Sequence, residues 1–350
     1  MDETARWIEN SVAAFALIRR CATPQNVVDV AVHIAPDLSE SIAFEERWND
    51  VCVASTNADH VAISKAVSIL RDASATVWSL AGDPNPFFEI RSSCSAQPRV
   101  YDVLYPLSAR YEWVNELFLN EQVRHDGRLK NSLYAGSQTS EVVGINHQRN
   151  SRDSRGGYTL YVPENYSELR EWPLIVTLHG GGGHGRGHVW TWLRDARSCG
   201  AIVLCPTSLG STWGLSDPEL DTENILCHVE TVRRQLNIDS GRLMLQGVSD
   251  GGTFSLLAGL LEDSAFTHLV PCFPSFHPMM IEMTSRDRLQ AVRIYLIHGS
   301  LDWMFPIESA REANLILTHA GADVVFREIE DLSHSYPDDE NLNILEWYRK

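Results

Sequence analysis

From residue 158 onward, short and almost wholly apolar runs alternate with longer amphipathic stretches, and this alternation restricts the fold more than any other feature of the chain. The runs 158–162, 173–178, 201–205, 242–246, 268–270, 292–297 and 324–329 have the length and the β-branched or aromatic content of strands. Helical patterns separate most of them, notably at 220–236, 307–320 and 338–348. Strands without a polar face must be covered on both sides, so the pattern predicts a mostly parallel sheet sandwiched by helices. In such sheets the functional site lies outside the carboxyl ends of the strands.

One of those ends carries a distinctive turn. Gly247-Val248-Ser249-Asp250-Gly251 follows the run 242–246, and the residues from Gly252 to Leu261 read as a helix with an apolar face. A serine on a sharp strand-to-helix turn is thrust out at the edge of the sheet. Glycines flank it because side chains there would collide with the neighbouring strand and helix. Such a serine needs a base, an acid to orient that base, and donors for an oxyanion. Asp302 follows the run 292–297 and is the candidate acid; His334 follows the run 324–329 and is the candidate base. His298 and His277 are rivals for the base, although His298 stands close to the end of its own strand. Trp213, Trp303 and Phe276, with Trp190 beside them, are candidates for an apolar substrate wall near the same rim.

Taken together, Leu178-His179-Gly180-Gly181-Gly182-Gly183, the turn from Gly247 to Gly252, His298-Gly299-Ser300-Leu301-Asp302 and Ser333-His334 resemble the α/β-hydrolase superfamily. Within it they most resemble phospholipase/carboxylesterase and polyhydroxybutyrate-depolymerase-like esterases, over about residues 155–350. The resemblance implies an α/β-hydrolase fold preceded by a mainly helical N-terminal domain. It also implies an oxyanion hole formed by the backbone N–H groups of Gly181 and Asp250. The expected activity is hydrolysis of a small or oligomeric carboxylic ester by Ser249, His334 and Asp302 through an acyl-enzyme, without metal or cofactor. The alternatives are a peptidase of the prolyl-oligopeptidase type, against which the helical N-terminal half speaks, and a non-catalytic binding protein on the same fold. The chain departs from the pattern in its long glycine run, which carries His184 and His188, and in its N-terminal segment.

Two further motifs lie in the glycine run. Gly180-x-Gly182-x-x-Gly185 has the spacing of a dinucleotide loop, but Cys205-Pro206-Thr207 stands where a ribose-binding acid is needed. His184 and His188 have helical metal-pair spacing without a third ligand at a diagnostic distance.

Before the strand-rich part, residues 1–135 form an expected helical domain, with helices over 5–20, 41–54, 58–80 and 108–123 and a breaker at 82–86. Asn57 or Asp59 is the expected cap of the third helix. The polar stretch 136–157 reads as a linker to a catalytic domain at 158–350. The N-terminal helices are left open as a lid, a dimer interface or a separate binding module. A formal charge of -17 opposes binding to nucleic acid or to anionic membranes. Seven scattered cysteines and the absence of a basic leader suit a cytoplasmic, reducing setting, and no run is long enough for a membrane span.

Overall fold

Apolar side chains three and four positions apart give the first part of the chain its helices. In the computed structural model, which describes residues 3–52, 57–80, 82–137 and 142–349, the helix Glu3–Cys21 buries Ile8, Val12, Phe15 and Ile18 on one face. The helix Ala58–Ser79 does the same with Ile63, Val67, Leu70 and Val77. Asn57 is its cap: the side-chain oxygen accepts the N–H of Asp59 at 3.0 Å. Leu38–Cys52 forms as expected, and residues 53–54 of that expectation lie outside the described residues. The helix expected over 108–123 is confined to Glu112–Leu117. Beyond it Asn120 turns its side chain onto the N–H of Gln122, a local bond that competes with helix continuation. Val27–Ile34, Phe87–Ser93 and Gln97–Leu104 add helices that the periodicity did not single out.

The chain divides into two compact units, Met1–Arg124 and His125–Lys350. The second holds an eight-stranded sheet in the order β1-β2-β4-β3-β5-β6-β7-β8. Its strands are β1 (Gly144–Gln148), β2 (Tyr158–Val162), β3 (Trp172–Leu178), β4 (Ile202–Pro206), β5 (Ile238–Val248), β6 (His268–Cys272), β7 (Arg293–Gly299) and β8 (Asp323–Ile329). β2 runs antiparallel to β1 and β4, and β3 to β8 are mutually parallel. Helices Leu193–Cys199, Glu219–Gln235, Asp250–Gly259, Ile307–His319 and Asn341–Tyr348 connect or follow the strands.

The residues expected to be a linker are part of this unit. β1 lies inside 136–157, and the helix Gly127–Ser137 precedes it. β1 is an edge strand, paired on one side only and mostly half-buried, so it has no need of the apolar run by which interior strands are recognised. Among the described residues no helix is long and apolar enough to cross a membrane.

Sheet order places the site. The connection after β3 leads to β4 on one side and that after β5 leads to β6 on the other, so a crevice opens between β3 and β5 at their carboxyl ends. In the β3–β5 register Leu178 pairs with Gly247, which brings the loops after both strands side by side.

Candidate active site

Ser249 has φ 56°, a left-handed backbone conformation that costs a non-glycine residue about 1–3 kcal/mol. The surroundings impose it. Its N–H donates to the Cys272 carbonyl at 2.9 Å on β6, and the helix Asp250–Gly259 starts at once. A Cβ on Gly247 would lie 1.9 Å from the Gly251 carbonyl oxygen. A Cβ on Gly251 would lie 2.5 Å from the His179 carbonyl oxygen, and one on Gly252 2.5 Å from that of Cys272. The glycines therefore serve close approach of backbone to backbone, as the turn requires.

Two later loops reach the same point. His334 Nε2 lies 2.9 Å from Ser249 Oγ, and its Nδ1 lies 2.8 Å from Asp302 Oδ2. Asp302 Oδ1 accepts the N–H groups of Met304 at 2.8 Å and Phe305 at 2.9 Å. The Asp302 side chain is fully buried. Burial opposes its ionisation, but the His334 hydrogen bond and the two amides outweigh that, and the carboxyl titrates below its ordinary range. An ionised Asp302 accepts from Nδ1, which leaves Nε2 as the lone-pair nitrogen facing the serine. The His334 loop is moored two residues on. Tyr336 donates to Asn341 Oδ1 at 2.5 Å, and Asn341 Nδ2 donates to the Thr191 carbonyl at 2.7 Å and to Asp195 at 2.9 Å.

The rival histidines have other duties. His298 is buried; its Nε2 donates to the Phe305 carbonyl at 3.0 Å and lies 3.4 Å from Asp302 Oδ2, behind the acid rather than at the serine. Burial holds its imidazole below the ordinary histidine range. His277 is exposed and accepts the Met279 N–H at 3.2 Å as a turn cap.

Gly180 and Gly181 sit against the serine turn. A Cβ on Gly180 would lie 3.5 Å from that of Ser249, and one on Gly181 would lie 2.7 Å from Asp250 Oδ2. Among the described residues the N–H groups of Gly181 and Asp250 donate to no protein acceptor, whereas those of Gly182 and Gly183 are taken by the carbonyls of Ser211 and Gly180. Such amides beside a serine hydroxyl are oriented donors for a negative oxygen.

With this geometry, residues 222–349 match the family model described as phospholipase/carboxylesterase. The second unit has the α/β-hydrolase fold. Probable feruloyl esterase C of Aspergillus niger is 30% identical over 132 residues, covering 36% of this chain and 47% of that protein, so the chain spans about half of that relative's length. Among solved structures, a thermostable esterase aligns with a TM-score of 0.48 and 23% identity over 59% of this chain and 61% of its own. An acylaminoacyl peptidase of Pyrococcus horikoshii aligns with a TM-score of 0.44 and 14% identity over 59% of this chain and 41% of its own.

In this unit the expected aromatic wall is only partly at the rim. Trp303 is half-buried with its ring edge-on to His334 at 6.1 Å. Phe276 is half-buried against the sheet core. Trp213 is a correction: it is 2% exposed and packs in the core rather than standing open at the rim. Its Nε1 donates to the His179 carbonyl at 2.7 Å, and its ring lies tilted by 33° to the His179 imidazole with centroids 4.8 Å apart. A loop tryptophan with an internal acceptor for its N–H loses nothing by facing inward. Trp190 is buried as well.

The glycine-loop histidines also have separate tasks. His184 Nδ1 accepts the N–H of Arg186, so its Nε2 donates to the Ser154 carbonyl at 3.0 Å. His188 Nε2 instead meets Thr177 Oγ1 at 2.9 Å. Among the described residues no group of three or more side chains is arranged to hold a metal ion. The helix after the dinucleotide-like spacing is four residues long, and Gly185 is pressed against the Cys205 carbonyl.

Phe273, Phe305 and Thr212 carry no signal in the sequence, and His179 is legible there only as part of the glycine-loop motif. Phe273 has φ 49° and sets its ring 5.2 Å from His334 and 5.8 Å from His298. Phe305 lies 5.5 Å from His334. Thr212 donates to Asp250 Oδ2 at 2.5 Å. His179 accepts the Ser208 N–H on Nε2 and donates from Nδ1 to the Gly180 carbonyl at 2.7 Å; burial lowers its pKa to about 4, which keeps it neutral.

Proposed function

We propose that this chain is a serine hydrolase of carboxylic esters. The observation that carries the reading is the continuous hydrogen-bonded line from Ser249 Oγ through His334 to Asp302, at 2.9 and 2.8 Å. Ser249 Oγ bonds to the ester carbonyl carbon as its proton passes to His334 Nε2, and the carbonyl π pair moves onto oxygen. The N–H groups of Gly181 and Asp250 hold that oxyanion. Collapse expels the alcohol, which takes the proton from His334 and leaves an acyl-enzyme. Water then attacks with the same base, and Ser249 leaves with the proton as the acid is released. Asp302 holds the imidazole tautomer and its transient positive charge throughout.

Trp303 and Phe305, both half-buried and near His334, suit an aryl or acyl group with a flat apolar face. The name of the Aspergillus niger relative points the same way, toward aromatic acyl esters. A reducing, cytoplasmic setting suits the described cysteines, of which Cys94, Cys205 and Cys272 are buried free thiols.

A series of p-nitrophenyl esters of increasing acyl size, with wild type beside Ser249→Ala, tests the reading. We expect turnover in wild type and its loss in the variant with an unchanged thermal melt. Equal hydrolysis by both proteins, or none by a folded wild type on any ester, would overturn it.

A further inference from the structure

The loop that presents Gly181 has little to hold it. Residues 180–183 are all glycine, so no side chain packs them down, and the Gly181 N–H must point at one place for an oxyanion to form there. Beside it, residues 207–212 form a second loop after β4. One backbone bond and one bond to a side chain stitch this region together: Gly182 N–H to the Ser211 carbonyl at 3.1 Å, and Ser208 N–H to His179 Nε2 at 3.2 Å.

Arg155 spans both loops from outside either one. Its Nη2 donates to the Gly183 carbonyl at 3.1 Å, to Ser208 Oγ at 2.5 Å and to the Ser211 carbonyl at 3.5 Å, while Nε donates to the Ser208 carbonyl at 3.1 Å. A planar fork of fixed donors satisfies several carbonyls at once, which a single ammonium on a flexible stem cannot do. The charge matters too. The Asp250 carboxylate leans over Gly181, a negative group next to the point where an oxyanion would grow. The Arg155 guanidinium brings a positive group to the Gly183 carbonyl of that loop, and His179 feels both charges.

We infer that Arg155 is the positioning residue that sets the oxyanion loop, bracing Gly183 against Ser208 and Ser211. The inference rests on the esterase reading of Ser249. It places a determinant of turnover in the stretch between β1 and β2, outside the residues that match the carboxylesterase family model.

The test compares wild type, Arg155→Met, Arg155→Lys and Ser208→Ala on one p-nitrophenyl ester, with inhibition by phenylboronic acid read in parallel. Ser249 Oγ adds to boron as its proton passes to His334, and the anionic tetrahedral adduct sets a boron hydroxyl in the oxyanion position, so its affinity reports the loop directly. A displacement of about 1 Å at a reacting centre costs about 100-fold, so Arg155→Met should lose about 30- to 100-fold in kcat while KM moves by less than about three-fold. Boronate affinity should fall in step. Arg155→Lys should recover part of both, and Ser208→Ala should lose less than Arg155→Met. Wild-type kcat and boronate affinity in Arg155→Met, or a change confined to KM, would overturn the inference. If Arg155→Met does not fold, unchanged kcat and boronate affinity in both Arg155→Lys and Ser208→Ala overturn it instead. Labelling of Ser249 by a fluorophosphonate in wild type separates the two failures. Absence of labelling and of turnover defeats the esterase reading, and with it this one. A labelled, active wild type indifferent to Arg155 defeats this one alone.

Discussion

Asparagine at position 302 matches aspartate in size and leaves its loop intact, yet it should stop the chemistry. Asp302 Oδ1 accepts two N–H groups, from Met304 at 2.8 Å and Phe305 at 2.9 Å. In Asp302→Asn the remaining oxygen must keep that place. The opposite orientation would set an NH2 against two amide donors and leave buried groups unsatisfied, at about 1–3 kcal/mol each. The NH2 therefore faces His334 Nδ1, which becomes an acceptor by moving its proton to Nε2. Ser249 Oγ then meets an N–H where it needs a lone pair. The expected loss is about 10⁴-fold in kcat, a barrier higher by about 5.4 kcal/mol, with KM little changed. Steady-state hydrolysis of a p-nitrophenyl ester from pH 6 to 9 measures it. Retention of more than about a tenth of wild-type kcat at neutral pH would refute the assignment of Asp302 as the orienting acid.

Two further predictions follow from the same geometry. Trp213→Phe keeps a ring in the core but removes the bond to the His179 carbonyl, so kcat should fall while the acyl-chain preference stays; a changed preference would return Trp213 to the substrate wall. Burial holds His147, His179 and His268 at about 4, whereas unfolded histidine titrates near 6.5. Their contribution to stability is complete above the unfolded value and drains away as pH falls from there toward 4, so the urea midpoint should drop between pH 7 and pH 5, and a flat midpoint would refute this.

What could be read in the sequence was whatever local chemistry dictates. Ser249 stood out because its glycines are demanded by contacts one strand away, and β5 announced itself by its apolar run. Asp302 and His334 could be placed because parallel strands return every carboxyl end to one rim. β1 could not, since a polar edge strand looks like a linker. Trp213 was misplaced because position in a loop does not reveal which way an indole turns, and its acceptor lies 34 residues away. Arg155 was out of reach for the same reason: its partners lie on loops 28 to 56 residues distant, and only the folded sheet brings them together.

The contact between Gly251 and the carbonyls of Leu178 and His179 has a consequence for how this protein can change over generations. At Gly251 the serine turn meets the chain at 178–179 backbone against backbone, so neither accepts drift that the other does not match. A lineage that altered position 251 would have to rebuild the path of the chain at 178–179 in the same step. The two segments, far apart in the gene, are therefore inherited as one unit. Diversity must arise elsewhere on the rim, around Trp303 and Phe305, where side chains rather than bare backbone stand beside His334.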